Sequence, residues 1–318
     1  MIVWGVNALN HGSSIAVVGG KDTVHWIRNN SSDRLTSEMV KEAIDYSGYR
    51  GPSTIAWYER PLVKKTRQLY AGQWDAAMDM SVMPSNYLRS MNLRYPKVVY
   101  HPHHKSHAAA GFFTSPFNQA IVVVLDAIGE WESASIWLGS GTKLTKLWSA
   151  SYPNSLGLFY SAFTKLIGFK PLAEEHLLQQ LSDQGDFKRY YFKVKGYFDA
   201  PMTLNRNLHR GVWDWDEPVT DENRADIAAA VQTVFEEQVD WVMALAHSYT
   251  SIDNLVYMGG CAMNSKYNKK LNRQWKGIWS LPDPGDGSSA IGAALLTTNQ
   301  RINCNLGIVK HLELQYNS

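Results

Sequence analysis

The 318 residues are 45% hydrophobic and 19% charged with a net charge of +2, which excludes a disordered chain and allows one large globular domain or two lobes. This near-neutral balance neither demands nor excludes a polyanionic partner. Two cysteines, Cys261 and Cys304, supply neither a disulfide framework nor a thiolate metal site, which points to a reducing cytoplasm. The start of the chain shows no signal-peptide pattern, and no window reaches the roughly 20 apolar residues of a membrane span, so no membrane partner is expected.

In chain order, alternating apolar and polar residues between turns predict strands over 2–8, 14–18 and 24–28. A helix is expected from Thr36 to about Tyr46, then a strand over 53–57. A strand over 97–100 precedes a small-residue helix near 108–111. The pattern then recurs. Residues 120–126 read as a buried strand ending in Asp126, followed by strands 134–138 and 144–150 and a helix near 158–167. Each copy carries a polar residue at the end of its first strand, Asn7 and Asp126, and we read the repeat as a structural duplication.

The segment 171–223 is polar and irregular and is expected to form a lid or substrate loop. Apolar spacing predicts a helix over 226–246. A strand over 254–258, a helix over 262–275, a strand over 278–281 and a small-residue helix over 288–296 complete the chain. The boundaries expected are an N-terminal lobe 1–118, a C-terminal lobe 119–300 with an insertion at about 171–250, and a tail 301–318. The 12 Trp and 16 Tyr suit either core packing or a surface that stacks planar ligands.

The residues with chemical potential begin at His101-Pro-His-His-Lys-Ser-His107. His103 and His107 are four apart, which on a helix start puts two imidazoles on one side, suited to a shared metal. His104 would point elsewhere, toward substrate or solvent. Asp126 and Asp286 are further ligand candidates, although Asp126 also reads as a turn cap and Asp286 as an N-cap. Two imidazoles with carboxylate oxygen suit iron, manganese or zinc better than magnesium. Glycine-containing turns at 11–14, 259–264 and 285–289 can present backbone N–H groups to phosphates, so a nucleotide cleft is expected.

Six ordered blocks then carry a resemblance. They are Gly5-Val-Asn-Ala-Leu-Asn-His-Gly-Ser-Ser14, His103-His-Lys-Ser-His-Ala108, Leu125-Asp-Ala-Ile-Gly-Glu-Trp131, Ser155-Leu-Gly-Leu-Phe-Tyr-Ser-Ala-Phe163, Gly259-Gly-Cys-Ala-Met-Asn264 and Pro284-Gly-Asp-Gly-Ser-Ser-Ala-Ile-Gly-Ala293. The chain resembles the O-carbamoyltransferases of nodulation-factor and antibiotic biosynthesis, relatives of the tRNA threonylcarbamoyl-transferring enzymes. The resemblance implies an α/β architecture, a duplicated ribonuclease-H-like (actin-like ATPase) fold of two lobes with a cleft between them. It implies metal ligation by His103, His107, Asp126 and Asp286. His11 would act as general base, with His104 as a second catalytic candidate. Asn7, Ser13, Ser14, Glu130, Glu175, Gly259, Gly260, Asn264 and Gly287 would line the nucleotide site.

The cofactors implied are a divalent metal (Fe(II) first, then Mn or Zn), ATP or carbamoyl-adenylate, and carbamoyl phosphate as donor. The family pattern departs at Gly12, where Asp is usual, and at Glu174-Glu-His-Leu177, where a lysine is missing. The family's second, activating domain is expected to be absent, so a separate carbamoyl-activating protein is an expected partner. The acceptor implied is a hydroxyl, on a small sugar or antibiotic or on 5-hydroxymethylcytosine in DNA. Lys188, Arg189, Tyr190, Lys193, Arg206 and Arg210, which interleave basic and aromatic residues, are the nucleic-acid candidates. A non-catalytic nucleotide-binding partner of a full-length enzyme is the alternative from another class.

Overall fold

The computed structural model describes residues 1–19, 24–48, 51–93, 95 and 97–302. Cys304 and nearly all of the expected tail 301–318 lie outside the described residues. The chain opens with β1 (Val3–Asn10), β2 (Gly12–Val18), β3 (Val24–Asn29), α1 (Ser37–Tyr46) and β4 (Thr54–Trp57). Three short helices follow, α2 (Pro61–Tyr70), α3 (Trp74–Met78) and α4 (Pro84–Ser90), then β5 (Val98–Tyr100) and α5 (His103–Thr114). The second half begins with β6 (Gln119–Gly129), β7 (Glu132–Ser140), β8 (Lys143–Ser151) and α6 (Leu156–Leu166). An insertion holds α7 (Glu175–Leu181), α8 (Tyr191–Lys195), β9 (Phe198–Ala200) and β10 (Thr203–Leu204). The long helix α9 (Arg224–Ser248), β11 (Asn254–Met258), α10 (Ser265–Leu271), β12 (Gly277–Trp279) and α11 (Asp286–Thr298) complete it.

The duplication read from the strand pattern is visible in the pairing. The first sheet has the order β3-β2-β1-β4-β5 and the second β8-β7-β6-β11-β12. In each, an antiparallel three-stranded meander is extended by two parallel strands from its first member. Both first strands also break register near their ends, β1 between Asn7 and Asn10 and β6 between Leu125 and Gly129. A register break bends a strand and re-aims its side chains. That local bend turns Asp126 out of the ladder.

The central position of β6 explains its composition. Parallel β11 and antiparallel β7 flank it, and α5 on one face with α6 and α9 on the other cover it, so the β-branched run at 121–124 is buried throughout. Val122 and Val124 join the core shared with the first sheet, whereas Ile121, Val123 and Leu125 join the core beneath α6 and α9. Helix α1 starts where its cap residue predicts: the Thr36 hydroxyl accepts from the Met39 N–H at 3.3 Å. Thr36→Ala is expected to lower stability by about 1 kcal/mol, read as a shift in the urea midpoint at constant slope.

Helices α5 and α11 lie together between the two sheets. Late in the chain, α11 packs on β1 and β2 of the first sheet, across the boundary expected at residue 118. Their contact requires glycine. A Cβ at Gly292 would lie 1.8 Å from the Ser106 carbonyl oxygen, and one at Gly5 1.8 Å from that of Ala290. Backbone thus packs directly on backbone, which holds α5 against α11 and α11 against β1.

Two local expectations are corrected. The helix expected over 262–275 is a 3₁₀ turn (Gly260–Met263) followed by α10, because the Asn264 side chain caps a new helix by accepting from Tyr267 N–H at 3.0 Å. The segment 171–223 is not an irregular lid throughout, since it folds into two short helices and a small hairpin under α9. Among the described residues, no helix is long and apolar enough to cross a membrane.

Candidate metal centre

Pro102 closes the approach to α5 and places His103 in its first turn. His107 follows one turn later on the same side. Their Nε2 atoms are 3.0 Å apart. Asp286, in the first turn of α11, brings Oδ1 to 3.2 Å from both of those nitrogens. Asp126, at the bend of β6, brings Oδ2 to 3.3 Å from His103 Nε2 and 3.9 Å from His107 Nε2. One ligand atom from each residue lies within 4.8 Å of every other.

A divalent ion bound about 2.0–2.2 Å from each donor holds neighbouring donors roughly 3.0–3.5 Å apart. The observed spacings fit that requirement, with a small inward movement needed between His107 and Asp126. The donor chemistry fits equally well, because two imidazole nitrogens aimed at one point beside two carboxylates form a closed acceptor set. Electrostatics agree. Burial opposes charge on His103, but Asp286 and Asp126 outweigh it and hold the imidazole well above its usual pKa. Burial likewise opposes charge on Asp286 and Asp126, but the histidines hold both carboxyl groups below the ordinary range. This negative field would attract a dication.

Supporting residues surround the cluster. Glu59 Oε2 lies 3.8 Å from His103 Nδ1, a nitrogen buried without a hydrogen-bond partner, and Lys64 fixes the other oxygen of Glu59 at 2.8 Å. Asn10 Nδ2 donates to Asp286 Oδ2 at 2.8 Å, and the Gly260 N–H donates to Asp126 Oδ1 at 3.1 Å. Each carboxylate thus spends one oxygen on a protein donor and turns the other to the centre. The Tyr58 ring centroid lies 5.1 Å from that of His103, and its buried hydroxyl bonds nothing among the described residues. Glu59 and Tyr58 belong to no motif, and Asn10, although it lies in the first of the six blocks, carries no expected role there. The only hint was that Glu59 and Tyr58 directly follow the strand preceding an unpredicted helix. Glu59→Gln is expected to weaken metal affinity by roughly 10- to 100-fold with the fold retained, measured by competition with a chelator.

The other sequence candidates separate by location. His104 does not face substrate or solvent, as its position in the motif suggested. It is fully buried, with Nδ1 2.8 Å from Ser135 Oγ, and burial followed by the His103 charge keeps it well below its usual pKa. His11 is exposed on the turn directly after Asn10, whose side chain bonds Asp286. Asn7 is fully buried with neither amide atom bonded among the described residues. Ser14 Oγ donates to the Gly287 carbonyl at 2.6 Å, tying two glycine turns together, but Ser13 turns inward to the Arg34 carbonyl. Glu130 does not open toward a ligand, because its carboxylate accepts from the Arg60 backbone and side chain and from the His103 N–H at 3.3 Å. Glu175 accepts from Ser161 Oγ at 2.5 Å. Gly259, Gly260 and Asn264 form the turn beside Asp126, with Asn264 engaged by Gln232.

The nucleic-acid candidates are largely spent within the protein. Lys188 to Lys195 is helical, and Arg189 pairs with Asp226 at 3.1 Å, Lys193 with Asp216 and Glu217, and Arg206 with Asp214. The Tyr190 hydroxyl donates to Glu217 at 3.1 Å. Lys188 and Arg210 have no carboxylate partner among the described residues.

Two duplicated sheets with a histidine–aspartate centre at their junction define a protein of the actin-like ATPase fold. Two solved structures share that fold: the activator of the 2-hydroxyisocaproyl-CoA dehydratase from Clostridium difficile, at TM-score 0.52, 14% identity and coverage of 94% of this chain and 96% of that one, and component A of the (R)-2-hydroxyglutaryl-CoA dehydratase of Acidaminococcus fermentans, at TM-score 0.51, 12% identity and coverage of 94% and 99%. Residues 76–295 match the carbamoyltransferase N-terminus family, and the chain belongs to that family. An uncharacterized protein of Synechocystis sp. is 29% identical over 94% of this chain and 57% of its own length. The nodulation proteins NolNO of Sinorhizobium fredii and NolO of Bradyrhizobium diazoefficiens are 30% and 29% identical, each over 62% of this chain and over 31% and 38% of their own lengths. The chain thus spans between 31% and 57% of the length of these relatives.

Proposed function

We propose that this chain transfers a carbamoyl group to a hydroxyl-bearing acceptor, with a divalent metal held by His103, His107, Asp126 and Asp286. The observation that carries the reading is the convergence of these four donors within the segment matched by the carbamoyltransferase family. When bound, the ion supplies Lewis-acid polarisation of the carbamoyl carbonyl. Fe(II) is the ion we propose, with manganese and zinc as the test alternatives.

The chain's own groups do the rest. Glu59, Asn10 and the Gly260 N–H fix the ligand orientations. The free Tyr58 hydroxyl beside His103 is a donor available to the oxygen that gains charge. His11, exposed next to Asn10, takes the proton of the acceptor hydroxyl. The acceptor oxygen forms a bond to the carbamoyl carbon, the carbon–oxygen bond to the adenylate phosphate breaks, and AMP leaves with that oxygen. The donor is carbamoyl-adenylate, made from carbamoyl phosphate and ATP by this chain or by a separate activating protein.

The test is mass spectrometry of acceptors incubated with the protein, carbamoyl phosphate, ATP and iron. The panel holds DNA containing 5-hydroxymethylcytosine, unmodified DNA and aminoglycosides. One added carbamoyl group on any acceptor supports transfer, and its identity chooses between nucleic-acid and small-molecule substrates. The internal pairing of Arg189, Lys193 and Arg206 leaves the 188–206 stretch little free charge for a DNA backbone. No product even with preformed carbamoyl-adenylate would overturn the reading in favour of a non-catalytic nucleotide-binding protein.

A further inference from the structure

The turn bearing Glu130 also borders a cluster of cations and aromatic rings that the transfer chemistry does not use. Arg67 is only 7% exposed, yet no carboxylate among the described residues pairs with it. Its Nε donates to the Glu130 carbonyl at 3.2 Å and its Nη1 to Gln73 Oε1 at 2.9 Å, so Nη2 bonds nothing described. Most other arginines near acids are neutralised, as Arg28 is by Asp283, Arg60 by Glu130 and Arg189 by Asp226. A guanidinium cannot shed its proton, and burying it without a counter-ion is costly. Among carboxylates only the more distant Glu59 acts on Arg67, whose unbonded Nη2 is open to an anion.

A second cation stands beside it. Arg210 is exposed, has no carboxylate partner among the described residues, and reaches over Gly72, at the end of the helix that carries Arg67. His209 links the two. It is held by the Tyr152 hydroxyl at 3.1 Å, and burial, then the Arg67 and Arg210 charges, lower its pKa. The wall is aromatic: Tyr70 lies 5.3 Å from Trp131 and 6.3 Å from Tyr152 between ring centroids, and Tyr70 is 69% exposed. Flat side chains beside two unpaired guanidinium groups match a flat ring carrying negative oxygen. The cluster adjoins the metal centre, because the same Glu130 accepts from the backbone of both Arg60 and His103.

We propose that Arg67 and Arg210, against the wall of Tyr70, Trp131 and Tyr152, form a subsite for an acceptor built as a planar ring bearing a phosphate or carboxylate group. Only the word acceptor rests on the transfer reading; the cluster and its ligand class stand apart from it. The test is calorimetric titration of the full chain with 2′-deoxycytidine 5′-monophosphate and with benzoate, each against its uncharged counterpart, deoxycytidine and benzamide.

The expected result is that at least one charged ligand binds about tenfold or more tighter than its counterpart. Its identity distinguishes phosphate from carboxylate. Arg210→Gln, at an exposed position, is expected to remove that advantage, and Arg67→Lys to reduce it. Equal affinity of charged and neutral ligands in both pairs, or an advantage unchanged in Arg210→Gln, would overturn the subsite. Displacement of the bound ligand by saturating ADPNP would also overturn it, since the cluster would then belong to the donor. Binding is read without turnover, so a failed transfer assay with intact charge discrimination rejects the transfer reading alone.

Discussion

Replacing His103 or His107 by Ala is expected to remove bound metal and transfer activity together. Each imidazole supplies one of two nitrogen donors, and its loss leaves one imidazole and two carboxylates, a three-donor set of harder character. Metal content by plasma mass spectrometry should fall from about one ion per chain to a small residue. Turnover should drop roughly 10³-fold or more. The change should leave the circular dichroism spectrum near wild type, since His103 and His107 stand at the start of α5 and the helix is held mainly by the apolar residues 108–113. Transfer that persists in a variant free of metal would remove the ion from the mechanism.

Gly292→Ala is expected to be the most damaging single change away from the ligands. The added Cβ would meet the Ser106 carbonyl oxygen at 1.8 Å and the Ala110 nitrogen at 2.7 Å. Both are helix backbone, so no side chain can rotate away and α5 must separate from α11. Overpacking of this kind costs about 3 kcal/mol or more. That corresponds to a fall in Tm of roughly 5–10 °C for a chain of this size, measured by calorimetry. The two helices carry His103, His107 and Asp286, so metal affinity should fall in the fraction that still folds. An unchanged Tm would show that the helix contact is looser than its backbone spacing indicates.

Both expectations depend on how the centre is assembled. Its ligands are separated by up to 183 positions in the chain, yet each stands where a regular element begins or bends. A helix start leaves side chains and N–H groups free of the helix ladder. A register break frees a strand residue in the same way. Chemistry therefore collects at these points, and they are also the points that alternation and turn residues mark in a sequence.

The sequence by itself determined the strand pattern, its repetition, α1 with its Thr36 cap, the long α9, and the candidate ligands His103, His107, Asp126 and Asp286. These are local properties, set by side-chain alternation, spacing of three to four residues, and turn residues. Helices α2, α3 and α4 went unread because they are short and carry their apolar residues without a clean period: Leu62, Tyr70, Trp74 and Met78 are all exposed. Only the tertiary structure decided that α11 belongs with the first sheet, that Glu59 and Asn10 orient the ligands, and that His104 is sealed on Ser135. It also decided which cations are neutralised: Arg189, Lys193 and Arg206 meet acids 8 to 37 positions away, whereas Arg67 and Arg210 meet none in ion-pair contact among the described residues. Charge pairing and backbone-on-backbone packing join residues distant in the chain, and no spacing rule along the sequence contains that information.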